Sequence, residues 1–169
     1  METNELPTYD MSENPTGCCP RFDPTGWDAQ DLHFRDKHFA RVTTRSIAHF
    51  PLNMGSVFKQ TLKALEDADA QNEDDFIVLS HDRSAWSAEH LFSVNKFVPG
   101  QEIVQLSGDY VTKVFEGPYR NMPKWHAEMK QLAGNANGGD LPIYFFYTTC
   151  PKCQKYYGKN YVVGVAQAA

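Results

Sequence analysis

Residues 110–132, YVTKVFEGPYRNMPKWHAEMKQL, decide how this chain is read. Tyr110 to Phe115 is rich in β-branched and aromatic residues, as a half-buried strand should be. Gly117-Pro118 breaks that strand, and Asn121 stands where a helix N-cap belongs. Met122, Trp125, His126 and Met129 then recur at helical spacing up to Leu132, and Gly134 ends the run. The reading is strand, turn, helix. Downstream, the loop Asn135-Ala136-Asn137-Gly138-Gly139 separates the helix from strands at Ile143 to Thr149 and Tyr161 to Ala166.

The same order precedes it. His38 to Phe50 reads as a strand, Asn53 as a cap, and Met54, Val57, Phe58, Thr61, Leu62 and Leu65 as the apolar stripe of a helix. Short strands follow at Phe76 to Leu79 and Leu91 to Val98. Sliding the chain on itself by about 67 residues brings the two sets together, the mark of an internal duplication. The expected fold is therefore α+β: duplicated strand-helix-strand-strand units, at about 38–98 and 109–167, forming an antiparallel sheet with two helices on one face. The link between units holds one short candidate strand, Glu102 to Leu106. Residues 1–37, with Pro7, Pro15, Pro20 and Pro24 and no sustained period, read as an irregular N-terminal arm on a single domain of residues 38–169.

Composition narrows the function. The 169 residues include 11 Phe, 8 Tyr and 3 Trp and are 41% hydrophobic, enough to build a core rather than a disordered chain. Sixteen Lys and Arg against 21 Asp and Glu give a net charge of −5, the wrong sign for a protein that neutralises phosphates, so no nucleic-acid partner is expected. Much of the acidity sits in the run Glu66 to Asp75, which reads as a solvated helix end. No stretch approaches the roughly 20 apolar residues of a membrane span, and Met1 to Glu5 lacks the features of a secretion signal, so a cytoplasmic protein with no membrane partner is expected.

The duplicated order, with the segment Val114-Phe115-Glu116-Gly117-Pro118-Tyr119 and Trp125 early in the following helix, resembles the GyrI-like (gyrase-inhibitor-like) family. That family includes effector-binding domains of bacterial multidrug regulators, and the resemblance covers about residues 38–167. It implies a small-molecule-binding domain, here a stand-alone bacterial member without a DNA-binding domain. Where the family often carries Tyr-Glu-x-Tyr, with the Glu as counter-charge for cationic ligands, this chain has Tyr144-Phe145-Phe146-Tyr147.

The cysteines have their own logic. Thr149-Cys150-Pro151-Lys152-Cys153 looks like a zinc knuckle, and Gln154 to Gly158 after it favours a hairpin turn. Two thiolates cannot close a tetrahedral site. Cys18 and Cys19, in Thr16-Gly17-Cys18-Cys19-Pro20, supply the remainder if a turn after Gly17 brings both sulfurs round and the arm folds back. His33 or His38 could stand in for one sulfur. The expected group is a structural metal, zinc, on Cys18, Cys19, Cys150 and Cys153. A redox dithiol at Cys150 and Cys153, or unligated thiols, are the alternatives.

A ligand pocket is expected on the concave face of the sheet, lined by Trp86, Tyr110, Tyr119, Trp125, Phe145 and Tyr147, with a small apolar or aromatic molecule as its occupant. His49 and His126 read as hydrogen-bonded structural histidines. No Ser, His and Asp spacing supports a nucleophilic triad. For a hydrolase of a lipophilic reactive compound in the same cleft, the candidate catalytic groups are Glu116 or Glu128 as general base, with Tyr119 or Tyr147 orienting the substrate. The expectation is a small-molecule-binding protein with a cysteine metal site, with the hydrolase and the thiol-redox protein as its alternatives.

Overall fold

The computed structural model describes residues 1–47, 50–134 and 141–168, without the side chains of Phe50 and Pro51. His49 and the Asn135 to Gly139 loop lie outside the described residues. In chain order the elements are β1 (Asp31–Ile47), β2 (Phe50–Pro51), α1 (Met54–Asp67), β3 (Val78–Ser84), β4 (Ser87–Ser93), β5 (Glu102–Glu116), α2 (Met122–Leu132), β6 (Ile143–Tyr147), α3 (Pro151–Tyr157) and β7 (Tyr161–Gln167). Single 3-10 turns occur at Pro24–Gly26 and Tyr119–Asn121. Among the described residues, no helix is long and apolar enough to cross a membrane.

The expected open sheet with two helices on one face is incorrect. The six long strands hydrogen-bond in the closed antiparallel order of a barrel, because β1 pairs with β5 as well as with β4. Among the described residues three helices accompany them, not two. Two long strands make closure possible. β1 runs 17 residues from Asp31, inside the stretch read as an arm, and β5 runs 15 residues, fusing the expected link strand with the expected strand at Tyr110.

The chain divides into two compact units, residues 36–106 and residues 1–35 with 107–169. In the first, β4 pairs with β1 from Phe39↔Ser93 to Arg45↔Ser87 and with β3 from Val78↔Phe92 to Ser84↔Ser87. Helix α1 turns Thr61 and Leu65, one turn apart, inward. Leu65 and Ala70 pack with Ala40, Phe92, Val94 and Val98, while Phe58 meets Phe92 edge-on at 4.9 Å. His90 is 1% exposed within this unit and bonded at both ring nitrogens, to Thr44 Oγ1 at 2.9 Å and Ser80 Oγ at 2.8 Å.

In the second unit β7 lies between β5 and β6, with registers Val114↔Val163 and Phe145↔Gly164. Helix α2 sets Trp125 and Met129 onto Phe115, Ile143, Phe145, Val162 and Ala166, with Trp125 stacked on Phe115 at 5.3 Å. Gly164 is required there, since a Cβ would lie 2.6 Å from Met129 Sδ.

Strand alternation sends Phe146 away from Phe145. Phe146 meets the leader instead: Trp27 at 5.3 Å and Tyr9 at 6.3 Å. Trp27 is 2% exposed and also touches Phe22 at 6.1 Å. Burial of one such aromatic is worth about 3 kcal/mol. Backbone-to-side-chain hydrogen bonds reinforce it, for Gln30 N donates to Thr112 Oγ1 at 3.0 Å and Val114 N to Asp28 Oδ1 at 2.9 Å.

Candidate functional site

Within that second unit the leader and α3 bring all four cysteines together, with the four Sγ atoms within 4.8 Å of one another. Each pair is presented by its own backbone device. On the leader, Thr16 Oγ1 accepts from Cys18 N at 3.2 Å and Cys19 N at 3.3 Å, and Gly17 takes φ +62°. This tight turn lets adjacent side chains converge where extended backbone would send them apart. Cys18 Sγ and Cys19 Sγ are 3.7 Å apart.

On the other side the expected hairpin turn is a helix. Cys150 is the N-cap of α3, Pro151 follows within its first turn, and Gly158 ends it in the left-handed region at φ +70°. Cys150 and Cys153 therefore share the start of a helix that leaves β6. Cys18 Sγ lies 3.8 Å from Cys150 Sγ, and Cys150 N donates to Cys19 Sγ at 3.4 Å. Tyr157, in the last turn of α3, donates its hydroxyl to Cys19 O at 2.7 Å, and Arg21 lies over the Tyr157 ring at 4.9 Å.

The electrostatics are those of four thiols in one small volume. Burial pushes the Cys18 and Cys19 thiols up, Cys19 strongly. Burial also pushes Cys153 up, but its contacts with Thr16, Cys150 and Cys19 outweigh this and bring it down to about 7. Cys153 is fully buried and Cys18 is exposed. Without a cation these groups cannot all be thiolates, whereas a bound metal deprotonates its thiol ligands. The donor set fits one: a tetrahedral ion with bonds of about 2.3 Å to sulfur has sulfur–sulfur edges of about 3.8 Å. Thr149, just before Cys150, is buried with its hydroxyl unpartnered. His33 and His38 have other partners, Asp109 at 2.9 Å and Gln105 at 3.0 Å.

Beside α3 an open groove of about 530 Å³ is lined by Glu116, Gly117 and Pro118 from the end of β5 and by residues of α3 and the turn after it, among them Gln154, Lys155, Lys159 and Asn160. Glu116 pairs with Lys159 at 3.4 Å. Asn160 donates to Gly117 O at 2.7 Å, while its own side-chain oxygen is buried and unpartnered.

The six aromatics expected around a ligand have different surroundings. Trp125 and Phe145 belong to the core under α2, and Tyr110 is buried against Phe34 at 5.1 Å. Tyr119 and Tyr147 are half-exposed and meet edge-on at 5.7 Å. Trp86 belongs to the other unit, where it is 65% exposed at the tip of the β3–β4 hairpin. Of the expected catalytic acids, Glu116 faces the groove, and Glu128 is held by Lys113 at 3.0 Å and Lys124 at 3.8 Å. The sequence reading assigns no site role to the groove's Gln154, Lys155, Lys159 and Asn160, although Gln154 and Lys155 directly follow the CxxC. The hydrogen-bonded Ser80, His90 and Thr44 also went unread.

Together these features define a small β-rich protein whose leader meets a helix through a cysteine cluster. The chain belongs to the bacterial hydrolase family, whose model matches residues 9–168. That is not the GyrI-like family which the Gly117-Pro118-Tyr119 segment resembles. No curated protein matches the chain.

Proposed function

We propose that Cys18, Cys19, Cys150 and Cys153 hold one Zn²⁺ as a closed structural clamp, fastening the leader to α3 in a protein of the bacterial hydrolase family. The observation that carries this is the four sulfurs within 4.8 Å, with edges of 3.7 and 3.8 Å matching a tetrahedral S₄ site. Four thiolates leave the ion no open position, so its work is folding energy rather than catalysis. Zn²⁺ with four thiolates carries two negative charges, which Lys152 between the ligands and Arg21 beside Tyr157 help to offset. The chain purified without chelator should contain about one zinc, and Cys150→Ser should lose it and melt roughly 10 °C lower. Equal metal content and melting temperature in the two proteins would reject the clamp.

A second reading follows from the family match and the groove. Glu116 is the one carboxylate among the groove residues, with Lys159 beside it. We infer that Glu116 takes a proton from an attacking water while Lys159 offers charge to the oxyanion that forms. The substrate is a small reactive ester or related compound, and Tyr119 and Tyr147, each 38% exposed, are the aromatics that touch its apolar part. With p-nitrophenyl acetate as probe, Glu116→Gln should slow hydrolysis about 100-fold at unchanged zinc content. Equal rates in the variant and the parent would remove Glu116 from this role.

A further inference from the structure

The four sulfurs are not equivalent: Cys18 is exposed, Cys19 and Cys150 are partly covered, and Cys153 is buried against Thr16 Oγ1 at 3.3 Å. We propose that Cys18 and Cys150 are the peroxide-reactive pair of the cluster, and that the disulfide between them replaces the zinc clamp instead of opening it. This inference rests on the zinc reading.

Oxidants reach the exposed thiolate first, which is Cys18. Cys19 at 3.7 Å and Cys150 at 3.8 Å stand close to it, and the buried Cys153, engaged by Thr16, lies within 4.8 Å. Cys19 is the poor partner. Adjacent residues joined by a trans peptide hold their Cα atoms about 3.8 Å apart, shorter than the roughly 4.4–6.8 Å that disulfides span. Among the described residues no peptide bond is cis. Cys153 is the other conceivable partner for Cys150, but it is buried and its sulfur is engaged by Thr16. Cys18 sits on a surface turn of the leader, which can follow as its sulfur closes on Cys150.

The step balances with hydrogen peroxide as oxidant. The Cys18 thiolate attacks one peroxide oxygen, the O–O bond breaks, and Cys18 becomes a sulfenic acid while hydroxide leaves and is protonated to water. The Cys150 thiolate then attacks the sulfenic sulfur, the S–S bond forms, and a second hydroxide leaves as water. Two thiolates, one peroxide and two protons give one disulfide and two waters, the sulfurs losing the two electrons that the peroxide gains. Zinc, left with Cys19 and Cys153 alone, departs. The new bond joins positions 132 apart, so it still ties the leader to α3.

The test is a hydrogen peroxide titration of the zinc-loaded full chain, read by a chromogenic zinc chelator, non-reducing peptide mass mapping and thermal melting. We expect one zinc released for each peroxide consumed, a Cys18–Cys150 crosslinked peptide, and a melting temperature within a few degrees of the starting protein. Dithiothreitol with added zinc should restore the original state. Zinc retained against excess peroxide, a crosslink between Cys150 and Cys153, or collapse of the melting transition on zinc release would each overturn the proposal and leave the zinc reading standing. A chain that carries no zinc contradicts the zinc reading itself, and the crosslink map then still decides which pair reacts.

Discussion

At His90 two hydroxyls take the place of water: Thr44 Oγ1 on Nε2 and Ser80 Oγ on Nδ1. Burial holds this imidazole neutral down to about pH 4, with Asp82 only partly opposing the shift. Because the folded value lies below the ordinary value of about 6.5, the unfolded chain binds the proton more readily. The stability this site contributes is complete above about pH 6.5 and is lost as pH falls through the folded value, in all by about 3 kcal/mol. Urea unfolding at pH 7 and pH 4.5 should show that loss, and His90→Gln should reduce it. The same loss in parent and variant would remove His90 as its source. Nothing in the sequence announces this site. Ser80 and His90 are partners in the β3–β4 ladder, and Thr44 lies 46 positions from His90. Pairing across strands, invisible to local spacing, makes the neighbourhood. The cysteines were more legible, because a metal site demands four donors and the chain offers only four cysteines.

Helix α3 shows how a short element is misread. Pro151 in the first turn and Gly158 just past the end are ordinary helix boundary signals. At seven residues α3 reads as part of a hairpin turn, since so short a helix leaves no periodic stripe to detect. Cys153 on its inner face, and Tyr157 bonded to Cys19 O, secure it through the cluster instead of through an apolar seam. β5 failed for the opposite reason. Gly108 reads as a break, yet the strand passes through it at φ +143°, a backbone conformation that glycine takes without the strain a side chain would bring. Helices α1 and α2 were legible in extent because each carries a full apolar stripe. Their N-cap positions, Asn53 and Asn121, are also where the sequence puts them, but neither makes a side-chain cap bond, and Asn53 Oδ1 instead accepts from Arg45 N at 2.8 Å.

For the whole molecule, strand positions could be read but closure could not. Alternation and β-branched content mark where strands are, and they are silent on whether the first strand also pairs with β5. The leader was underrated for a related reason. Leu6, Phe22, Trp27, Leu32 and Phe34 are all buried, yet their spacing follows no regular period through the first part of the chain. The contacts of Phe34 with Tyr110 on β5 and of Trp27 with Phe146 on β6 come from chain reversal, which only the cysteine pairing hinted at. A leader packed by aromatics at one end and held by thiolates at the other is the arrangement on which the zinc clamp and its oxidised counterpart depend. X-ray absorption at the zinc edge of the purified chain reads that arrangement directly. Four sulfur neighbours at about 2.3 Å, with no nitrogen or oxygen in the shell, is the result expected. A shell with fewer than four sulfurs, or a different bound metal, would contradict it.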